Sequence, residues 1–324
     1  MNTSSIILPF GARKFWMPHL QAAWRSLLIT GVLLPLLQGC TCKQPGGAPG
    51  FKSPEEAVDA LTRAVRAGDT SQLLAIVGPE GEEIISSGDE VADRQRRAKF
   101  LALYDQKHSL VNDGLKAILV VGNDNWPLPV PIVRRNDSWV FDSEAGKEEI
   151  LNRRIGENEL SAIQVCKAIG DAQREFALKT LDADGLNEYA RQIVSDPGKH
   201  NGLYWPTAEG EEPSPLGELA AQASAEGYKR RAEGPTPYHG YFFRILQAQG
   251  PNAPDGALNY VVNGKMTLGF ALVAYPADYN SNGIMTFIMS SDGVVYQKDL
   301  GDQTETLARD MKEFDPGEGW TKVE

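Results

Sequence analysis

Between residues 160 and 176 the apolar side chains Leu160, Ile163, Cys166, Ile169, Ala172 and Phe176 recur every three or four positions. That spacing gathers them into one stripe down an α-helix about five turns long, with Lys167, Asp171, Arg174 and Glu175 lying off it. A stripe of this length must be covered, and the chain that follows supplies the cover. Residues 241–246, 270–275, 284–289 and 294–297 are rich in Val, Ile, Phe and Tyr. They predict antiparallel strands, the last two joined through Ser290-Ser-Asp-Gly293. The expected unit is a helix laid on an antiparallel sheet.

The preceding half uses the same elements with the helices first. Ser53-Pro54-Glu55-Glu56 offers a capping serine, a proline at the first helical position and an acidic first turn. Ala57, Val58, Leu61, Ala64 and Val65 mark one helical face before Gly68 stops it. Further helices are predicted over 71–77 and 90–104, the latter with Val91, Phe100, Leu101 and Tyr104 as apolar contacts. Residues 109–112, 115–121, 130–134 and 138–141 then read as strands between Asn, Asp, Gly and Pro turns. A helical segment over 144–154 closes this half, and Gly156-Glu-Asn-Glu159 reads as the boundary. The expected class is α+β with two domains, 51–155 and 156–324, each with helix packed on a mainly antiparallel sheet. Residues 195–239 read as an insertion or long loop over the second sheet, because Pro213-Ser-Pro215 and Gly234-Pro-Thr-Pro237 flank an alanine-rich helix there.

The first 39 residues carry Arg13, Lys14 and Arg25 but no Asp or Glu, and Arg25 is followed by Ser26-Leu-Leu-Ile-Thr-Gly-Val-Leu-Leu-Pro-Leu-Leu37. This predicts a signal peptide over 1–39, since the apolar run falls short of the ~20 residues of a spanning helix and Pro35 and Gly39 break its far end. Met17 offers an alternative start. Leu37-Gln38-Gly39-Cys40 resembles a bacterial lipobox, with Gln38 an unusual occupant of its slot. The resemblance implies lipid attachment at Cys40 and a membrane-anchored protein facing the periplasm or the cell exterior. A secretory signal with a coincidental cysteine, or an uncleaved anchor, is the alternative. Residues 40–50, ending in Lys43-Gln-Pro-Gly-Gly-Ala-Pro-Gly50, read as a flexible tether. Cys42 is then an exposed thiol or a second acylated position and Cys166 plain core, with no disulfide framework.

Removing residues 1–39 takes three basic residues and no acidic one from a chain already at net charge −11. That balance is opposite to the footprint of nucleic-acid binding. It also gives no electrostatic attraction to anionic headgroups.

Three resemblances extend this reading. The opening Ala57-Val58-x-x-Leu61…Gly68-Asp69, with its helices-then-sheet order, is similar to the nuclear-transport-factor-2-like (NTF2-like) cone fold, which implies a curved sheet wrapped on helix, often with a pocket. The helix sequence from Glu159 to Phe176, followed by Tyr189-Ala190, resembles the later part of the long helix in type IV pilins and pseudopilins. No uninterrupted apolar half-helix precedes it, so pilus-like polymerisation is not expected. Finally, three stretches carry a wider likeness: Pro237-Tyr-His-Gly-Tyr-Phe-Phe-Arg-Ile-Leu246, Gly269-Phe-Ala-Leu-Val-Ala-Tyr-Pro276 and Asp292-Gly-Val-Val-Tyr-Gln-Lys-Asp-Leu-Gly301. With the lipobox and the first domain, they resemble the bacterial family catalogued as domain of unknown function 2950. That resemblance implies an exported two-part protein and supplies no activity.

Motifs that carry chemistry are sparse. There is no Gly-x-Ser-x-Gly elbow, no His-Glu-x-x-His, no Cys-x-x-Cys and no phosphate-cradling loop, and the four histidines are His19, His108, His200 and His239. Asp182-Ala-Asp184-Gly185 lacks the remaining ligands of a calcium loop and reads as a turn. No catalytic residue, cofactor or metal site is predicted. Three clusters stand out as ligand-binding candidates: His200 with Trp205, Tyr238 with His239, and Trp126 within Asn123-Asp-Asn-Trp-Pro127. Histidine beside aromatics suits sugar or peptide stacking, and ordinary packing or turn formation is the competing reading for each. Arg94, Arg96, Arg97 and Lys99 read as a solvated helix face.

The sequence therefore predicts an exported lipoprotein acting as a non-enzymatic binding or assembly module at the cell envelope. Its expected partners are the membrane through its lipid anchor, and envelope proteins, peptide or glycan; nucleic acid is not among them. One alternative is a periplasmic hydrolase using His239 or His200 with a carboxylate in a site between the domains. The other is small-ligand binding in the first domain, in an apolar cavity beneath Trp126 or Trp139.

Overall fold

In the computed structural model, helix α1 spans Pro54–Ala67 and starts where the sequence places it. The Ser53 hydroxyl accepts the Glu56 N–H at 3.2 Å, the Glu56 carboxylate takes the Lys52 N–H at 2.7 Å, and Gly68 ends the helix at φ 64°. The structure describes residues 50–180, 187–208, 210–229 and 234–323. The predicted signal peptide, the tether as far as residue 49 with Cys40 and Cys42, and the Asp182–Gly185 turn lie outside the described residues.

Helices α2 (Thr70–Val77), α3 (Glu82–Ile85) and α4 (Glu90–Gln106) follow α1, with Asp69 and Asp89 capping α2 and α4 through their carboxylates. Five strands come next: β1 (His108–Asn112), β2 (Lys116–Val121), β3 (Trp126–Pro127), β4 (Ile132–Arg135) and β5 (Ser138–Phe141). They form an antiparallel sheet in the order β1-β2-β4-β5, with β3 also paired to β2. Period-two alternation sends Ala117, Leu119, Val121, Ile132, Trp139 and Phe141 to one face, where Ala57, Val58, Leu61, Leu73, Ile76 and Tyr104 cover them. This is the first of two cores.

Helix α5 then runs unbroken over Ser143–Lys179, 37 residues and roughly 55 Å. Here the structure differs from the expectation of two helices separated at Gly156–Glu159. One glycine in a helix costs only about 1 kcal/mol, no proline follows, and the polar residues after Gly156 each find a partner in the surrounding fold. The C-terminal part of α5 buries Ile163, Cys166, Ile169, Ala172 and Phe176 as the stripe requires, whereas Leu160 at its upper end is 58% exposed.

That stripe lies on the second sheet. After α6 (Gly217–Glu226) come β6 (Tyr241–Leu246) and two ribbons, β7 (Ala248–Gln249) with β8 (Leu258–Asn259), and β9 (Val261–Val262) with β10 (Lys265–Met266). Then follow β11 (Ala271–Pro276), β12 (Met285–Ser290), β13 (Val295–Asp299), α7 (Thr304–Asp310) and β14 (Thr321–Lys322). The sheet is antiparallel in the order β14-β13-β12-β11-β6. All six residues of β11 are buried, because α5 packs across the sheet and α7 also packs against this strand. The stretch predicted as an insertion contributes to this core instead of only overlying it: Leu203 and Leu216 are 0% and 6% exposed. The molecule is α+β, with two hydrophobic cores strung along one helix.

Candidate functional site

Tyr238-His239-Gly240-Tyr241 is a two-residue hairpin turn. Tyr238 and Tyr241 exchange both backbone hydrogen bonds, and His239 and Gly240 sit at φ 47° and 74°, as a type I′ turn demands. A Cβ on Gly240 would lie 2.8 Å from the Asn158 amide nitrogen, so the turn is pressed directly onto α5. His239 projects toward α6, its Nε2 3.3 Å from Glu226 Oε2. The Tyr238 hydroxyl donates to the same oxygen at 3.2 Å, and Tyr228, packed edge-on against both rings, donates to Asp89 Oδ2 at 2.8 Å. Burial, and then Asp89, push the Tyr228 phenol well above its ordinary range. Burial and the Glu226 charge do the same to Tyr238.

Beneath this turn lies a polar joint connecting the elements of the two cores. Asp93, 6% exposed, accepts from the Ser87 N–H (2.9 Å), the Ser87 hydroxyl (2.8 Å) and Arg96 (3.3 Å). Arg96 reaches on to Glu157 and to Asn158 Oδ1, while Asn158 donates to the Asn282 carbonyl at 2.8 Å. Glu159 Oε1 accepts from both Ile284 and Met285 N–H at 3.0 Å, tying α5 to the start of β12. Arg154, 4% exposed, donates to the Glu83 carbonyl at 2.6 Å, and its Nε and Nη1 have no hydrogen-bond partner among the described residues. Its burial lowers the guanidinium pKa. Part of the basic run read as a solvated face is thus drawn into the joint, with Arg97 reaching the Ile85 carbonyl at 3.5 Å.

His200 lies elsewhere. It stacks on Trp205 with ring centroids 4.3 Å apart and opens onto a cleft of about 460 Å³. Two devices build that cleft. Gln173 of α5, fully buried, clamps Ala190 through both backbone groups at 2.7 and 2.8 Å, which sets Tyr189 and Arg191 on the wall. Asn201 braces the His200 loop against Asp196, whose carboxyl is held below its usual range by Asn201, then Gln192 and Lys199. Arg191 is aimed by Gln247 Oε1, at 3.1 and 3.2 Å, and by the Gly264 carbonyl at 3.4 Å. Arg191 remains exposed and retains donors for a ligand.

The candidates named from sequence therefore fall in three places. His200 and Trp205 meet each other, and Tyr238 and His239 meet each other. Trp126, 51% exposed, lies under the Arg153 guanidinium at 5.2 Å. Trp139 is core, and neither described cleft is lined by Trp126 or Trp139. The second cleft, about 310 Å³, is lined by Asp278, Tyr279, Asn280, Asp302 and Glu305 among others. Among the described residues no group of three or more His, Cys, Asp or Glu is placed to hold a metal ion. Sequence reasoning missed Arg154, Asn158, Asn282, Arg191 and Gln247. For Asn158 the signal was present, a polar residue inside an otherwise helical pattern; for the others only tertiary proximity reveals it.

These features define an α+β protein with two cores on one helix, a buried polar joint and an open polar cleft. The chain belongs to the family described as protein of unknown function (DUF2950), whose profile matches residues 49–323. No curated protein and no solved structure matches it.

Proposed function

We infer that this protein is a lipid-anchored envelope protein, attached through Cys40, that binds a small polar ligand without transforming it. The ligand class is a glycan or short peptide bearing a carboxylate, and the site is the cleft at His200. The observation that carries this is the placement of Arg191: a guanidinium held by Gln247 and Gly264 on the wall of the cleft that His200, itself stacked on Trp205, also lines. A cation for the carboxylate and aromatic faces for a ring or methyl group are what such a ligand requires. We further read the first half as NTF2-like and the second as pilin-like; in support, helices pack on an antiparallel sheet in each. The hydrolase alternative rests on His239, whose Nε2 lies 3.3 Å from Glu226 Oε2, but neither described cleft is lined by His239.

The test is titration of the full chain with muramyl dipeptide, which combines sugar, peptide and carboxylate, followed by calorimetry and tryptophan fluorescence. Saturable binding that Arg191→Ala weakens at least tenfold and Trp205→Ala also weakens is expected. Absence of binding, or binding that both variants leave intact, overturns the assignment.

A further inference from the structure

The first sheet has a second apolar face. Strand alternation that sends Ala117, Leu119 and Ile132 to the core sends Val111, Ile118, Val120, Val133 and Val140 to the opposite side, in register across β1, β2, β4 and β5. Among the described residues none of these five is part of either core, and Ile118, Val120, Val133 and Val140 are half-buried. Val111 is 62% exposed, and Leu115 at the β1–β2 tip is 71% exposed. A sheet facing water on one side ordinarily carries polar residues there.

Its position relative to the rest of the chain says what covers it. Phe51 extends the sheet beyond β5 by exchanging two 2.8 Å backbone bonds with Trp139, and Gly50 lies against Ser138. The described chain therefore begins at the edge of this sheet. Phe51 sits level with Leu115 across the sheet, since Trp139 pairs with Arg134 and the Arg134 N–H donates to the Leu115 carbonyl at 2.9 Å. Ten residues from Cys40 to Gly50 span at most ~35 Å, which keeps a lipid on Cys40 within reach of this face. The charged rim is balanced: Arg135 pairs with Asp142 at 3.3 Å, and Lys116 follows Asp113, which accepts its N–H at 2.8 Å. In a chain of net charge −11 this favours apolar contact with a zwitterionic surface over attraction to an anionic one.

The geometry points to the outer face of this sheet as a membrane-docking surface that seats the protein on the zwitterionic lipid to which Cys40 tethers it. The inference rests on the lipid-anchor reading. Docking buries the valine and isoleucine row in the interfacial region and orients the second core, with its cleft, in a fixed manner to the bilayer.

Hydrogen–deuterium exchange of the native full chain on phosphatidylcholine–phosphatidylethanolamine vesicles, compared with the full-length Cys40→Ala chain in solution, tests it. Acylation is read beforehand by mass and by co-flotation. Exchange should slow several-fold in β1, β2 and β4 on vesicles, stay unchanged in β12 and β13, and lose that protection in Val111→Asn/Leu115→Asn. These two exposed positions leave the core intact. An acylated, co-floating protein with no protection there overturns the docking surface and leaves the anchor standing. A chain without acyl mass or flotation overturns both. Protection that appears in solution and rises with protein concentration assigns the face to a second copy of the chain and overturns the lipid assignment.

Discussion

Asn158 and Asn282, 124 residues apart in the chain, are joined by a 2.8 Å hydrogen bond from the Asn158 amide to the Asn282 carbonyl. The Asn282 amide in turn donates to the Ser87 carbonyl at 3.4 Å. One side chain in the middle of α5 thus ties the loop before β12 to the segment before α4. Truncating it leaves the buried Asn282 carbonyl without that donor and takes from Arg96 one acceptor, with Asp93 and Glu157 remaining. Asn158→Ala is expected to destabilise the protein by about 1–3 kcal/mol, read as a fall in the urea midpoint at unchanged slope.

The glycines of α5 should respond with opposite sign. A Cβ on Gly156 meets nothing within 4 Å, whereas one on Gly146 would lie 2.7 Å from the Val130 Cα. Gly156→Ala should stabilise by about 0.5–1 kcal/mol through the entropy of the unfolded chain. Gly146→Ala should destabilise, since backbone must move to admit the methyl. Equal and opposite shifts are not required; a destabilising Gly156→Ala would show that this position bends in the native state.

Alkaline pH should loosen the joint around the His239 turn. In the folded state burial, with Asp89 and Glu226, raises the Tyr228 and Tyr238 phenols above their ordinary value. The fold therefore holds protons that the unfolded chain releases first. The stabilisation is complete below about pH 10 and is lost as pH climbs beyond it. Urea midpoints measured from about pH 8 to 11 should decline, and Tyr228→Phe/Tyr238→Phe should flatten that decline.

Cys166 should be chemically silent in the folded protein. It is fully buried, and burial pushes its thiol well above the ordinary range, so thiolate is scarce at neutral pH. A thiol-reactive probe followed by peptide mass mapping should label Cys166 only after denaturant is added. Labelling under native conditions would mean that the α5–sheet interface opens.

The elements themselves were legible because their signals are local. Ser53, Pro54 and Gly68 bracket α1 through their own backbone preferences, and the alternation in 115–121 and 138–141 marks strands to within a residue. The Gly156-Glu-Asn-Glu159 stretch was misread as a break because hydrophilic character alone does not distinguish a solvated linker from side chains with buried partners. Arg96, Asn282, Ile284 and Met285 supply those partners from remote sequence positions.

The amino-acid sequence by itself determined the α+β class, the ends of α1, α2 and α4 to within two residues, the main strands and the two apolar sets that became cores. Each follows from backbone sterics and side-chain period, which act over a few residues. Tertiary structure alone decided that one helix passes from the first core to the second, that His200 and His239 lie in different sites, that Arg191 lines a cleft, and that the valine row on the first sheet joins neither core among the described residues. Those outcomes depend on which distant groups come within hydrogen-bonding or van der Waals reach, a distance set by the packing of the whole chain.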